Sequence, residues 1–298
     1  SLAEELIRLN KEYKETPILV ILGNPPYSGI SANASEKLVT LNKGNMYVTG
    51  YQIQPDEDTG CYKLVPQTKR ATKRIMRKQK TWIGELIEDY KLIDGRWLEE
   101  RNPKWLQDDY VKFIRFAQWK IDSACEGVLG FITNHKYLDN PTFRGMRQTL
   151  MHSFDEIYVL DLHGYIRQNC PDGSKDKNVF DIRQGVAIGL FVKKKGLEKK
   201  VFHSERWGLQ EVKESWLLEN DVETTRWQLI QPKSKFYWFV PRDEKLLDSY
   251  SKYPKVTAIF PLNGVGFLTH RDKLAIAFDQ SGLKRNIEML LDPSLPDA

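Results

Sequence analysis

The sequence predicts an α/β fold built around a layered sheet, and three observations predict it. The run Pro17–Gly23 (PILVILG) is continuous, apolar and rich in β-branched residues, and Pro and Gly bound it, as they would a strand buried on both faces of a parallel sheet. Beyond residue 108, amphipathic stretches alternate with short apolar runs, the pattern of a sheet layered with helices. Hydrophobic residues make up 41% and charged residues 29% of the chain, which excludes wholesale disorder.

The elements follow in order. Leu2–Tyr13 reads as a short helix, and Pro17–Gly23 is the first strand. A long polar segment runs from Ser28 to about Asp109. Within it, Thr68–Tyr90 is spaced as a helix, with Ile75, Met76, Ile83, Leu86, Ile87 and Tyr90 near a 3.6 period. Asp109–Ile121 is an amphipathic helix with Tyr110, Ile114, Ala117 and Ile121 on one face, and Asp108 or Asp109 is its N-cap. Gly127–Thr133 is a strand, Thr142–Met151 a helix and Asp155–Leu162 a strand. His163–Asp181 is a polar loop, and Gly185–Lys193 is the last strand of the set. After Gly196, Trp207, Trp216, Trp227 and Trp238 sit among charged residues without a clear period. A domain boundary is therefore expected near Gly196–Lys200, giving units 1–196 and 197–298, the first with an insertion at about 31–108.

The net charge of +5 is mild, but its distribution is uneven. Cys61–Lys80 holds eight Lys or Arg and no acid, which fits either a solvated face or a phosphate-contacting element. Lys69, Arg70, Lys73 and Arg74 are the candidate phosphate contacts in this run. Arg144 and Arg147, on the predicted helix 142–151, are further candidates. The three cysteines, Cys61, Cys125 and Cys170, have no CxxC spacing, which argues against a disulfide framework and a structural zinc. The expected compartment is the reducing cytoplasm. His135, His152, His163, His203 and His270 show no ligand spacing, so no metal site is expected from them. Pro171-Asp172 with Glu198 and Lys200 faintly echoes a metal-dependent nuclease pattern at too long a spacing. No apolar run reaches membrane-spanning length.

The residues that carry chemistry are Asn24, Pro25, Pro26 and Tyr27, directly after the first strand. In an open α/β sheet, ligands bind at the carboxyl ends of strands. The two prolines fix their own φ and bias the preceding residues toward extended geometry. The result is a stiff loop that aims the Asn24 side chain and the Pro25 carbonyl. An adenine N6 amine is a poor nucleophile because its lone pair is delocalised into the ring. Two preorganised acceptors on its hydrogens favour pyramidal geometry and stabilise the charge that develops on nitrogen during attack. Tyr27 offers a flat face to a base that has left the helix. A simple turn after a strand is the bland alternative, and the motif's place ahead of further β/α units weighs against it.

In ILVILGNPPYSG, DDYVKFIRFAQWKI, GVLGFITNHKYLDNPTFRGMRQ, FDEIYVLDLHG and NVFDIRQGVAIGLFVK, in that order, the chain resembles the gamma-class amino-methyltransferases of bacterial restriction-modification systems. The resemblance spans roughly Ile18–Lys195 and is closest to large single-chain enzymes of the type ISP or type IIG kind. Ile259–Asp272 (IFPLNGVGFLTHRD) resembles the opening of their target-recognition region. The resemblance implies the second half of a Rossmann-like methyltransferase sheet followed by the start of a recognition domain. It further implies duplex DNA as partner, S-adenosylmethionine as cofactor and adenine N6 as acceptor. It places Phe180 against the flipped base together with Tyr27, although Phe180 also reads as a core residue capping the last strand. Lys136 and Tyr137 fall in the site by position.

The family's glycine-rich cofactor loop and its acidic ribose contact have no counterpart before Pro17, and Asn263-Gly264-Val265-Gly266 leaves too little chain after it for a permuted order. With no initiator Met, the chain is expected to be a fragment whose cofactor half lies in a missing N-terminal part of the same polypeptide, inactive alone. Two rival readings stay open: a protein-glutamine N-methyltransferase, and a DNA-recognition fragment without catalysis. Cytosine N4 also fits the acceptor chemistry.

Overall fold

The computed structural model describes residues 20–26, 33–100, 103–262 and 276–291. The expected helix Leu2–Tyr13, Tyr27 and most of the Ile259–Asp272 segment lie outside them. Strands are β1 (Val20–Gly23), β2 (Glu36–Leu41), β3 (Met46–Pro55), β4 (Tyr62–Arg70), β5 (Ile75–Lys80), β6 (Leu92–Ile93), β7 (Arg96–Trp97), β8 (Gly127–Asn134), β9 (Glu156–His163), β10 (Val186–Lys193), β11 (Lys200–Glu205) and β12 (Gln228–Ile230). Helices are α1 (Trp82–Leu86), α2 (Asp109–Ala124), α3 (Arg144–Ser153), α4 (Gln210–Glu219), α5 (Leu247–Ser251), α6 (Val256–Ile259) and α7 (Gln280–Leu290).

The fold is α/β, centred on a six-stranded mixed sheet of order β1-β8-β10-β9-β11-β12. β1, β8, β9 and β11 run in one direction, and β10 and β12 run against them. Strand alternation sorts the side chains onto two faces. Leu129, Phe131, Ile157, Val159, Ala187, Phe191 and Val201 share one core with Ile114, Ala117 and Ile121 of α2 and Met146 and Leu150 of α3. Leu160, Leu162 and Val186 of the opposite face share a second, smaller core with Val179. The amphipathic reading of Asp109–Ile121 holds, since Tyr110, Ile114, Ala117 and Ile121 are all buried. The polar side of α2 is partly buried as well, because the insertion packs there. Arg115 pairs with Asp89 at 2.5 Å and Gln118 accepts from the Tyr90 hydroxyl at 2.8 Å.

Three expectations change. First, Thr68–Tyr90 is not one helix: it comprises the end of β4, all of β5, the short α1 and a 3-10 turn over Ile87–Lys91. Pairing overrides the helical spacing, with β4 bonded to β3 and β5 to β2. The ribbon also doubles back. Tyr51 pairs with Pro66, yet Lys80 lies 4.5 Å from the Tyr51 ring. A straight ribbon would hold Lys80 about 45 Å from that position. Second, β1 is not buried on both faces. Among the described residues it pairs only with β8, and Val20 and Leu22 are exposed. Third, the boundary expected near Gly196–Lys200 cuts through the sheet, because β11 pairs with β9 over six residues from Lys200↔Glu156 to Glu205↔Asp161. The first compact unit continues to Arg242, and a second begins at Asp243.

A buried ion pair explains why residues past 196 belong to the first unit. Lys213 of α4 and Asp176 of the long loop have side chains that are 0% exposed and meet at 2.7 Å. Lys213 also donates to the Leu162 and Lys177 carbonyls at 2.7 and 2.6 Å. Asp176 accepts the Gly164 and Gly208 amides at 2.6 and 3.0 Å. Removing the cation strands a buried carboxylate. Lys213→Met is expected to destabilise the protein by about 3–5 kcal/mol in urea unfolding, and Lys213→Met/Asp176→Asn, which removes the buried charge and keeps an acceptor for one of the two amides, is expected to recover part of that. A single-variant loss below about 1 kcal/mol would contradict this assignment.

Candidate functional site

The expected catalytic loop stands at the carboxyl end of β1. Gly23 closes the strand so near β8 that a Cβ there would meet the Phe131 ring at 3.1 Å. Pro25 is buried, while Asn24 and Pro26 on either side are exposed. The chain thus anchors the loop through one proline and presents Asn24 outward. Tyr27 lies outside the described residues.

Phe180 sits in the loop between β9 and β10, half-buried against the core of Leu160, Leu162, Val179 and Val186. Asn178 fixes that position. Its amide donates to the Gln184 carbonyl at 2.6 Å and the Gly164 carbonyl at 3.3 Å, and its oxygen accepts the Phe180 N–H at 2.9 Å. Tyr137, expected in the site by position, is a core residue with its ring centroid 6.5 Å from that of Tyr110. Lys136 lies 5.2 Å from the Trp105 ring.

The cation candidates separate into two kinds. Lys69, Arg70, Lys73 and Arg74 are exposed where the insertion ribbon doubles back, and none forms an ion pair among the described residues. Other cations of the same run are engaged: Lys80 with Glu88 at 2.6 Å, Lys63 with Asp56 at 3.4 Å, and Arg77 over the Tyr47 ring at 4.8 Å. Arg144 pairs with Glu100 at 2.7 Å. Arg147 is a correction. It is 0% exposed and donates to the carbonyls of Tyr137, Asn140, Phe236 and Tyr237 at 2.6–3.1 Å. Burial pushes its pKa down to about 9, against the pull of Asp139. A guanidinium with its donors spent inside the protein cannot reach a phosphate. The nuclease-like set does not assemble either, since Glu198 pairs with Lys200 at 3.0 Å and Asp172 caps its own turn at Ser174.

The sequence reading missed a cluster of ionisable groups where the parallel strands β8, β9 and β11 end. Asp161 accepts from His135 Nδ1 at 3.0 Å and from the His163 backbone N–H at 2.9 Å. His163 Nε2 lies 3.0 Å from Glu205, and the Trp207 ring stacks on its imidazole. His135, Asp161, His163 and Glu205, with His203, line a cavity of about 970 Å³. Burial raises the Asp161 carboxyl, but the His135 hydrogen bond and the neighbouring imidazoles outweigh it and leave it lowered. Burial lowers His163 and His203, against the pull of Asp161. Alternation could have flagged the group, since Asp161 and His163, like His203 and Glu205, are two residues apart on a strand.

No protein-family profile matches the chain, and no curated protein does. Solved structures do. A DrdV–DNA complex determined by cryoEM matches with a TM-score of 0.61 and 23% identity, over 95% of this chain and 25% of that one. A nuclease-deletion mutant of the Type ISP restriction-modification enzyme LlaGI, in complex with a DNA substrate mimic, matches with a TM-score of 0.62 and 22% identity, over 94% and 24%. The ATP-dependent Type ISP restriction-modification enzyme LlaBIII bound to DNA matches with a TM-score of 0.53 and 26% identity, over 81% and 14%. The chain therefore shares its fold with these proteins and spans a quarter of their length or less. Among the described residues, no helix is long and apolar enough to cross a membrane.

Burial of His163 and His203 sets a pH dependence of stability. Both folded values lie below the ordinary imidazole value of 6.5, so below that pH the unfolded chain takes up protons that the folded chain refuses. Stability is expected to be full at pH 7.5 and to fall as pH drops through 6.5 toward 5. Thermal unfolding midpoints across this range test it; a flat or rising midpoint on acidification contradicts it.

Proposed function

We propose that this chain belongs to a DNA-acting restriction-modification enzyme and carries the catalytic-loop half of its adenine-N6 methyltransferase domain. The observation that supports this best is Asn24-Pro25-Pro26, anchored through buried Pro25 at the carboxyl end of β1, in a fold shared with DNA-bound restriction-modification enzymes. In this reading the Asn24 side-chain oxygen and the Pro25 carbonyl accept the two N6 hydrogens of an extruded adenine. Tyr27 and Phe180 hold the base by stacking. The lone pair then turns toward the methyl donor, and the two acceptors stabilise the positive charge that forms on nitrogen.

The methyl donor of this reaction class is S-adenosylmethionine. The described residues do not form a cradle for it. No described strand is followed by a glycine-rich turn, and the single Gly164 after β9 packs directly on the Asn178 backbone. In this reading, cofactor binding falls to a preceding part of the same polypeptide, seated along β1. The residues here supply base positioning and DNA contact, and the exposed cations Lys69, Arg70, Lys73 and Arg74 are the phosphate contacts. The fold neighbours favour DNA over a protein glutamine as the acceptor.

Two measurements test this reading in the full-length parent. Asn24→Ala is expected to slow single-turnover methylation of adenine by roughly 10²–10³. Tyr27→Ala removes a stacking surface worth about 1–3 kcal/mol and is expected to weaken base capture. A mismatch at the target adenine makes extrusion easier and is expected to rescue Tyr27→Ala partly and Asn24→Ala not at all. Equal rescue of both, or methyl groups found on glutamine or cytosine, would refute the assignment.

Neutralising Lys69, Arg70, Lys73 and Arg74 is expected to weaken binding to all DNA sequences alike. The log–log salt dependence is expected to flatten by about 0.9 for each phosphate that the variant no longer neutralises. An unchanged slope would make the corner a plain solvated surface.

A further inference from the structure

We propose that His135, Asp161 and His163 form a binding site for a divalent transition metal of the zinc class, with His203 and Glu205 beside it. The site is independent of the methyl-transfer reading. The ligand atoms of His135, Asp161 and His163 all lie within 4.8 Å of one another.

His163 lies between two carboxylates. Its two ring nitrogens each face a carboxylate oxygen, Nδ1 toward Asp161 at 3.4 Å and Nε2 toward Glu205 at 3.0 Å. A neutral imidazole carries one N–H. Whichever nitrogen holds it, the other is left as an acceptor close to a carboxylate. Glu205 is half-exposed and free to turn, so it can take the N–H or leave. Asp161 is buried and held by the His135 ring and the His163 backbone, so it cannot. His163 Nδ1 therefore stays within 3.4 Å of the fixed Asp161 Oδ2 whichever way Glu205 turns. With Nδ1 deprotonated, a cation between these two atoms is coordinated by both. The spacing suits one: two ligands about 2.0–2.1 Å from a tetrahedral zinc stand roughly 3.3–3.4 Å apart.

A second observation is independent of His163. His203 is 5% exposed, and its Nε2 is buried without a hydrogen-bond partner among the described residues. It lines the same cavity, and its strand partner Val159 precedes Asp161 by two residues on the same face. A buried polar atom without a partner in a native protein calls for an explanation, and an ion is one. His163 also holds a left-handed backbone, with φ 50°, that non-glycine residues rarely adopt. The Asp161 carboxylate fixes it there by accepting its N–H. Two imidazoles and a carboxylate favour zinc over magnesium or calcium, which prefer all-oxygen shells. Glu205 fits the outer shell, where a carboxylate orients a ligating imidazole. The bound ion would tie the end of β8 to the end of β9, at the root of the loop that carries Phe180.

The test uses the whole chain, stripped of metal, with Zn²⁺ alone as the probe. One tightly bound ion per chain is expected by elemental analysis after dialysis. Asp161→Asn and His163→Asn, the second chosen because Asn tolerates the left-handed backbone, are each expected to weaken Zn²⁺ binding at least about tenfold. His152→Gln, on α3 and outside the cluster, is expected to leave binding unchanged. Co²⁺ in the unaltered chain is expected to give the intense visible absorption of a four-coordinate site, a reading that does not depend on how the variants fold. Millimolar Mg²⁺ should fail to displace either ion. The absence of stoichiometric uptake, uptake that survives both substitutions, a weak six-coordinate Co²⁺ spectrum, or displacement by Mg²⁺ would each overturn the proposal.

Discussion

The ion pair between Lys213 and Asp176 is the constraint on which the arrangement around the sheet depends. Two fully buried charges lose their hydration, and this is offset only if every remaining donor and acceptor is met. Here they are met by the Leu162 and Lys177 carbonyls and the Gly164 and Gly208 amides. Those four groups come from the end of β9, the long loop and the approach to α4. The pair therefore ties these three segments together. It fixes where the chain leaves β9, and so where His163 stands and where Asn178 and Phe180 can be. On the other side of the unit Arg147 plays a related part with carbonyls in place of a carboxylate. It binds the turn after β8 to residues 236–237. Together the two buried cations draw residues beyond 196 into the first unit.

How legible this was in the sequence depended on the range of the forces involved. The elements of the main sheet were readable because their apolar periods are local and strong. The strand over Gly127–Thr133, the helix over Asp109–Ile121 and the polar loop 163–181 all appear where periodicity placed them. Thr68–Tyr90 was misread because its apolar residues are sparse and fit a helix by chance, whereas pairing with β2 and β3 decided the outcome. The boundary near Gly196 was misplaced for the same reason. A drop in apolar periodicity looked like a change of domain, but β11 is held by β9 and α4 by one buried lysine, and neither is visible as a pattern. The Asn24-Pro25-Pro26 loop was legible because prolines act on their own backbone. Arg147 and the histidine cluster were not, because their meaning lies in partners tens of residues away.

The exposed face of β1 bears on the catalytic proposal. A strand with apolar residues and an open hydrogen-bonding edge is an unstable thing to leave bare. Val20 and Leu22 are exposed, and β8 supplies the strand's only pairing among the described residues. The loop that holds the amine acceptors grows from that same strand. Under the proposed function the acceptors and the methyl donor would then meet along the β1 edge, with this chain holding the base and the covering segment holding the cofactor. Such a division makes the register of one four-residue strand decisive. A slip by one residue would turn Ile21 outward and carry Asn24 away from the position in which its oxygen can accept from N6. The close packing of Gly23 on Phe131, with 3.1 Å for an added Cβ, resists that slip. The glycine therefore has a role that neither the apolar run before it nor the motif after it reveals: a side chain in its place would crowd the Phe131 ring where the stiff loop begins.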